Sequence, residues 1–244
     1  MTYCVGVLLD DGVVLASDSR TNAGVDSIAT FRKMTVFEKP GKHVLCLLSA
    51  GNLSLTQSAI SLVAEWMAGK NAQRNIGKAK TMFRVARIVG EALREVYQDD
   101  GESLKAHGND FNATFILGGQ IEGERPRLFH IYAAGNFIEA TGETPFFQIG
   151  ETKYGKPVFD RLLHQGMPLA EAAKLVLISF DSTMRSNLSV GVPIDLLCYE
   201  TDSLKVTHQR RLGDSDGYLT GIRRQWGEGL KRVFLDIAPP DLDE

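Results

Sequence analysis

The order in which apolar patterning changes period limits the fold of this chain more than any other feature. Residues 3–9, 13–16, 31–38 and 43–49 are short apolar or alternating runs. Apolar residues then recur three or four apart through 53–66 (Leu53, Ala59, Ile60, Val63, Trp66) and again through 81–97. Strand-like runs return at 112–117, 127–134 and 136–140. Helical spacing returns at 153–163 and 169–184, and a closing strand pair is expected at 194–200 and 203–210. A period of two marks strands and a period near 3.6 marks helices. The order is therefore strands, two helices, strands, two helices, strands.

Most of these strands are neighbours in sequence, so antiparallel pairing is expected. The connections agree with that. Asp10-Asp11-Gly12 lies between two apolar runs and reads as a hairpin turn, and Pro40-Gly41 reads as another turn. Residues 19–30 are polar and read as a loop or an irregular hairpin, while 69–80, 98–110 and 142–150 read as connections. Gly118-Gly119 and Gly135 are taken to separate the middle strands. Two antiparallel sheets, each covered outside by a helix pair, bury every apolar face. The expected class is α+β, a four-layer α-β-β-α sandwich. After the closing strands, Tyr218, Ile222, Trp226, Leu230 and Phe234 stand four apart and form one helical stripe. We read residues 1–244 as a single domain, with a core over about 2–212 and a helical extension over about 213–244.

Composition narrows the function. The chain has 244 residues, a formal charge of −3 and 43% hydrophobic residues, which is a soluble globular composition. A mildly acidic chain is a poor candidate for nucleic acid. No stretch reaches the roughly 18 apolar residues of a membrane span. Asp10 and Asp11 interrupt the first apolar run and no basic segment precedes it, so a cytoplasmic location is expected. Cys4, Cys46 and Cys198 each lie within an apolar run and read as buried small hydrophobes. With no Cys-x-x-Cys and five scattered histidines, no metal is expected; no cofactor is expected either, because an N-terminal threonine would carry nucleophile and base on one residue.

Five features bear on chemistry. Thr2 becomes the first residue if Met1 is removed, which a small second residue permits. Its hydroxyl and a free α-amine then share one residue, and an α-amine titrates near ~7.7–8.0, where it can take the hydroxyl proton. The first hairpin returns Ser17-Asp18-Ser19-Arg20 to the chain start, although the register leaves open which of them faces Thr2. Lys33 lies in the run 31–38, and an inward lysine there needs a carboxylate partner, for which Asp18 is the natural choice. Gly51 stands where the run 43–49 meets a helix, and a backbone N–H at such a place suits a developing oxyanion. Ser186-Asn187-Leu188-Ser189-Val190-Gly191 is a serine-rich turn before a strand. Singly, each has a plain structural reading: an ordinary chain start, a polar strand end, a surface lysine, a turn glycine and a capped helix end.

Together the early features resemble a proteasome β-subunit. An N-terminal Thr, a strand–turn–strand, Ala16-Ser17-Asp18-Ser19-Arg20, a lysine at 33 and Ser49-Ala50-Gly51 carry the likeness. Within that superfamily the chain resembles the bacterial ancestral β-subunit family, Anbu. The matching stretches are Met1 to Val7, Phe31-Arg32-Lys33-Met34, Gln148 to Gly155, Arg185 to Gly191 and the long helical C-terminus. The resemblance implies the N-terminal nucleophile hydrolase fold. It also implies a threonine-type peptidase acting on peptides or unfolded proteins in a homo-oligomeric ring or split ring. It makes Thr2 nucleophile and base, Asp18 and Lys33 the supporting ion pair, Gly51 the oxyanion donor and Ser189 a hydrogen-bonding group near the amine. Other outcomes for such a chain are a small-amide hydrolase of the same fold and an assembly protein that keeps the fold without catalysis. The chain departs from the β-subunit pattern twice: Ser186 stands where an aspartate is usual, and Glu151 where a serine is usual.

Overall fold

The computed structural model of the chain describes residues 2–23, 27–108 and 111–242. Met1, on whose removal the chemistry of Thr2 turns, lies outside the described residues, as do 24–26 and 109–110 in two of the expected connections.

The first sheet opens with β1 (Tyr3–Leu9) and β2 (Gly12–Ser17), joined through Asp10 and Asp11. A small hairpin follows, β3 (Arg20–Ala23) with β4 (Ser27–Thr30). The second sheet takes β5 (Met34–Lys39), β6 (His43–Gly51), β7 (Ala113–Ile121), β8 (Arg127–Ile131) and β9 (Phe137–Glu139), in that spatial order. The first sheet is completed by β10 (Phe146–Gly150), β11 (Ile194–Glu200) and β12 (His208–Leu212), in the order β10-β1-β2-β11-β12. Every pairing is antiparallel. Helices α1 (Leu53–Ala68) and α2 (Met82–Ala106) cover the second sheet, and α3 (Lys156–Leu162) and α4 (Leu169–Ser186) cover the first. A last helix, α5 (Gly217–Asp236), packs on α4.

Strand alternation sorts side chains into three apolar layers. On β1, Tyr3, Val5, Val7 and Leu9 point to the helices, while Cys4 points between the sheets. On β6, Leu45 and Leu47 meet α1 and α2, while Val44, Cys46 and Leu48 meet the first sheet. All three cysteines are free and buried in these layers. The four-layer α+β sandwich expected from the pattern is the fold observed.

Several boundaries differ from the expectation. Gly118 and Gly119 do not separate strands; both lie inside β7. A Cβ on Gly118 would stand 3.1 Å from Leu15 and Leu128, and one on Gly6 would stand 2.8 Å from Leu128. Glycine there lets the two sheets approach, which a turn-based reading of Gly-Gly misses. The end of the expected connection 142–150 is β10, which pairs with β1. The expected loop 98–110 is helical as far as Ala106, because Leu104 reaches back to the core and Gly101 lies beneath the Tyr97 ring. The closing strand starts at His208, not 203, and the strand expected over 31–38 starts at Met34. Lys33 thus precedes β5 rather than lying within a strand. Its carbonyl still accepts the Ser49 N–H at 2.9 Å.

The stripe on α5 is split. Leu219 and Ile222 are buried against α4, whereas Tyr218, Leu230, Val233, Phe234 and Leu235 are exposed. The first turns of the helix belong to the core and the remainder stands off it.

Candidate active site

Thr2 is fixed by its main chain on both sides. β1 runs between β10 and β2. The Thr2 carbonyl accepts the Glu151 N–H at 2.7 Å. One residue on, the Tyr3 carbonyl accepts the Asp18 N–H at 3.0 Å, and the Tyr3 N–H donates to Asp18 Oδ1 at 3.0 Å. Gly150 turns the chain opposite this point with φ +83°, and a Cβ there would stand 1.9 Å from the Thr2 carbonyl. Only glycine permits so close a strand approach.

Asp18 is the residue of the 17–20 segment whose side chain reaches the start of β1, at the Tyr3 N–H. It lies just beyond β2, with no solvent exposure. Lys33 Nζ donates to its Oδ1 at 2.7 Å and to the Arg20 carbonyl at 2.6 Å. The Gly191 N–H donates to its Oδ2 at 3.4 Å. Burial pushes the Asp18 carboxyl above the usual range; the Lys33 charge and the Tyr3 and Gly191 N–H groups pull it back. Lys33 itself is 4% exposed. A buried ion pair is retained where each partner also has further hydrogen bonds, as here.

A cavity of about 570 Å³ opens above the pair. Thr2, Lys33 and Gly51 all line it, together with Thr21, Asn112 and Gly150 among others. Gly51 is the last residue of β6, one before Asn52, the N-cap of α1. The Asn52 N–H bonds across to Asn112 on the β7 side, and the Ser49 N–H bonds to Lys33 on the other side. Successive strand residues alternate in direction, so the Gly51 N–H points to the Lys33 side, into the cavity. Gly51 has φ +112°, and a Cβ would stand 2.1 Å from the Asn112 carbonyl.

Ser189 does not line this cavity. It lies on the turn between α4 and β11, where its N–H donates to Asn187 Oδ1 at 2.9 Å. Asn187 Nδ2 in turn donates to Glu151 Oε2 at 3.0 Å, and Glu151 pairs with Thr2. Ser189 is thus linked toward Thr2 by its main chain alone, through Asn187 and Glu151. Sequence reasoning gave Asn187 no role, although it stands inside the matching stretch from Arg185 to Gly191. It also missed Thr21, whose hydroxyl is buried in this region with no hydrogen-bond partner among the described residues. Nothing local in the sequence marks Thr21; the β3–β4 hairpin places it. Ser186, at the other departure, is exposed at the end of α4.

The nearest thiol is no rival to the Thr2 hydroxyl. Burial, reinforced by Asp18, pushes the Cys4 thiol well up, and its Sγ lies 3.5 Å from the Ser49 carbonyl. It stays protonated and inert.

Comparison with known proteins places the chain in a family. Residues 2–197 match the family described as Proteasome subunit. The proteasome subunit beta of Haloquadratum walsbyi is 26% identical over 211 residues, covering 84% of this chain and 76% of its own. A variant of Anbu from Hyphomicrobium sp. strain MC1 superposes with a TM-score of 0.92 at 50% identity, covering 99% of this chain and 100% of its own. The helical assembly of the Anbu complex from Pseudomonas aeruginosa gives a TM-score of 0.93 at 46% identity, with 98% of both chains covered. The chain belongs to the proteasome subunit family and, within its β-type superfamily, to the Anbu ancestral β-subunits.

Proposed function

We propose that the chain is a threonine-type peptidase, with Thr2 as nucleophile once Met1 is removed. The observation that carries this reading is a single cavity wall. It gathers Thr2, Lys33 and Gly51 from three separate parts of the chain, directly above the buried Asp18. In this mechanism the neutral α-amine of Thr2 takes the Oγ1 proton as Oγ1 attacks the scissile carbonyl carbon. The Lys33 ammonium favours the developing alkoxide, and Asp18 holds Lys33 in place. The Gly51 N–H receives the oxyanion. The α-ammonium then gives its proton to the departing amine, and water hydrolyses the ester left on Thr2. The Ser189 N–H holds Asn187, and Asn187 in turn holds Glu151 beside Thr2.

The substrate class is peptide or unfolded protein, and the setting is a cytoplasmic homo-oligomer, ring or open helix. The helical assembly of the Pseudomonas aeruginosa relative supports the latter. A second reading, a scaffold that keeps the fold without turnover, is favoured by Glu151 at a position where β-subunits usually carry serine. One experiment separates them. Protein lacking Met1 is treated with an epoxyketone or a β-lactone, and its intact mass and N-terminal peptide are measured. A single adduct on Thr2 is expected. An unmodified Thr2 in folded, Met1-free protein would overturn the peptidase reading.

A further inference from the structure

Glu151 is buried, at 7% exposure, and its carboxylate has no counter-ion among the described residues. Its partners are neutral: Asn187 Nδ2 at 3.0 Å on Oε2 and the Lys153 N–H at 3.4 Å on Oε1. The charged groups around it are otherwise engaged or turned outward. Lys33 is held by Asp18 and the Arg20 carbonyl. The Arg20 guanidinium donates to the Leu188 carbonyl and lies over Gly191, beyond the turn. The Lys153 and Arg185 residues are exposed. A buried carboxylate with only neutral donors leaves acceptor capacity and charge uncompensated.

The missing cation has an obvious source. Tyr3 pairs with Gly150 in the β1–β10 register, so Thr2 stands directly opposite Glu151, as the bond between them records. Glu151 follows the turn at Gly150, its main chain bonded to the residue whose amine would open β1, and its carboxylate is buried there and held by Asn187.

We propose that Glu151 is a positioning residue of the Thr2 site: its carboxylate, fixed by Asn187, is the counter-ion of the Thr2 α-ammonium. This rests on the reading that Thr2 carries a free amine. The consequence is a base with a set point. A carboxylate beside an amine favours the ammonium. The neutral amine needed for proton abstraction therefore appears at higher pH than an isolated α-amine would give. The same ion pair forms again after the amine has taken the Thr2 proton, so Glu151 stabilises the protonated state formed during attack.

Two measurements on Met1-free protein test this, with wild type, Glu151→Gln and Asn187→Ala compared. Glu151→Gln keeps an acceptor for Asn187 and removes only the charge. The first readout is the rate of β-lactone labelling of Thr2 against pH. The second is the rate of cyanate carbamylation of the α-amine against pH, which needs no catalysis. In Glu151→Gln both midpoints are expected to fall by about one unit. Asn187→Ala, which leaves the charge but frees it, is expected to give a smaller fall. An unchanged carbamylation midpoint in folded Glu151→Gln overturns the proposal, whatever the labelling does. A lowered carbamylation midpoint with no β-lactone adduct in any variant sustains the ion pair and sinks the peptidase reading instead.

Discussion

The floor of the cavity and the far half of α5 both break the rule that puts charge outside and apolar surface inside, in opposite directions. Asp18 and Lys33 are an ion pair sunk in the sandwich, with side chains 0% and 5% exposed. Leu230, Val233, Phe234 and Leu235 are a cluster of apolar residues left in solvent, with Phe234 76% exposed. Burial of charge is costly unless every partner is in place. Exposure of contiguous apolar surface is uncommon on a monomer and marks contact with something else. The first anomaly is satisfied within one chain, by four hydrogen bonds around a carboxylate and an ammonium. The second is left unsatisfied by the chain itself. The two departures from the same rule thus stand in different places and run in opposite senses.

Removing one partner of the buried pair should have the largest effect. Lys33→Ala leaves Asp18 sealed without its cation, at a cost of about 3–5 kcal/mol. Thr2 labelling should disappear and the melting temperature should fall by several degrees, read by calorimetry. Asp18→Asn should also abolish labelling but cost less stability, since the Arg20 carbonyl still accepts from Lys33 and the amide oxygen still accepts from Tyr3. Wild-type stability in Lys33→Ala would remove one side of the comparison.

A smaller effect is expected where backbone, not charge, shapes the cavity. Gly51→Ala forces a Cβ against the Asn112 carbonyl in a left-handed backbone, a strain of about 1–3 kcal/mol. The melting temperature should fall, and labelling should slow even in the folded fraction, because the Gly51 N–H moves. Unchanged labelling kinetics would show that this N–H is not the oxyanion donor.

The exposed end of α5 is tested by removing residues 227–244, which spares Leu219 and Ile222. The fold should keep its secondary structure, and sedimentation should show a smaller species. Phe234→Ala alone should weaken association by about 2 kcal/mol if it is an interface anchor. An unchanged oligomer after the truncation would break the association side of the comparison.

The mildest test uses a half-buried histidine outside the site. His130 sits between Tyr132 and Phe147, its Nε2 without a partner among the described residues, and burial lowers its pKa. The neutral form is thus favoured by folding. Stability from this source is full above the unfolded value of about 6.5 and is lost as pH falls through the lower folded value. His130→Leu should flatten the slope of melting temperature between about pH 7.5 and 5.5 without touching Thr2 labelling. An equal slope in the variant would assign the acid sensitivity elsewhere.

The layers were readable because they follow from period: Leu45 and Leu47 against Val44 and Cys46 is an alternation any sheet would show. Asp18 and Lys33 were readable as a pair because a lysine in an apolar stretch demands a carboxylate. What stayed hidden depends on contacts made across the fold. Gly118 and Gly119 carry a turn signal yet serve a close approach of two sheets. Residues 98–106 lack apolar periodicity, and only Leu104 shows why the helix continues. β10 is short and follows a glycine- and threonine-rich stretch, so its partner β1, some 140 residues earlier by the register, had no local trace. Asn187 is polar in a polar turn, and its contact with the Glu151 carboxylate, some 36 residues away in the chain, has no local trace in the sequence.

The double anchoring of the first strand has a practical side for anyone handling the protein. Anything fused to the amino side of Thr2 turns its α-amine into an amide, which the proposed mechanism cannot use as a base. Anything fused after α5 burdens the half-helix that stands free of the core. Gly166, in the exposed turn between α3 and α4, is open enough that a side-chain carbon added to it would meet nothing within 4 Å. A purification handle inserted there should leave both the nucleophile and the helix as the chain makes them.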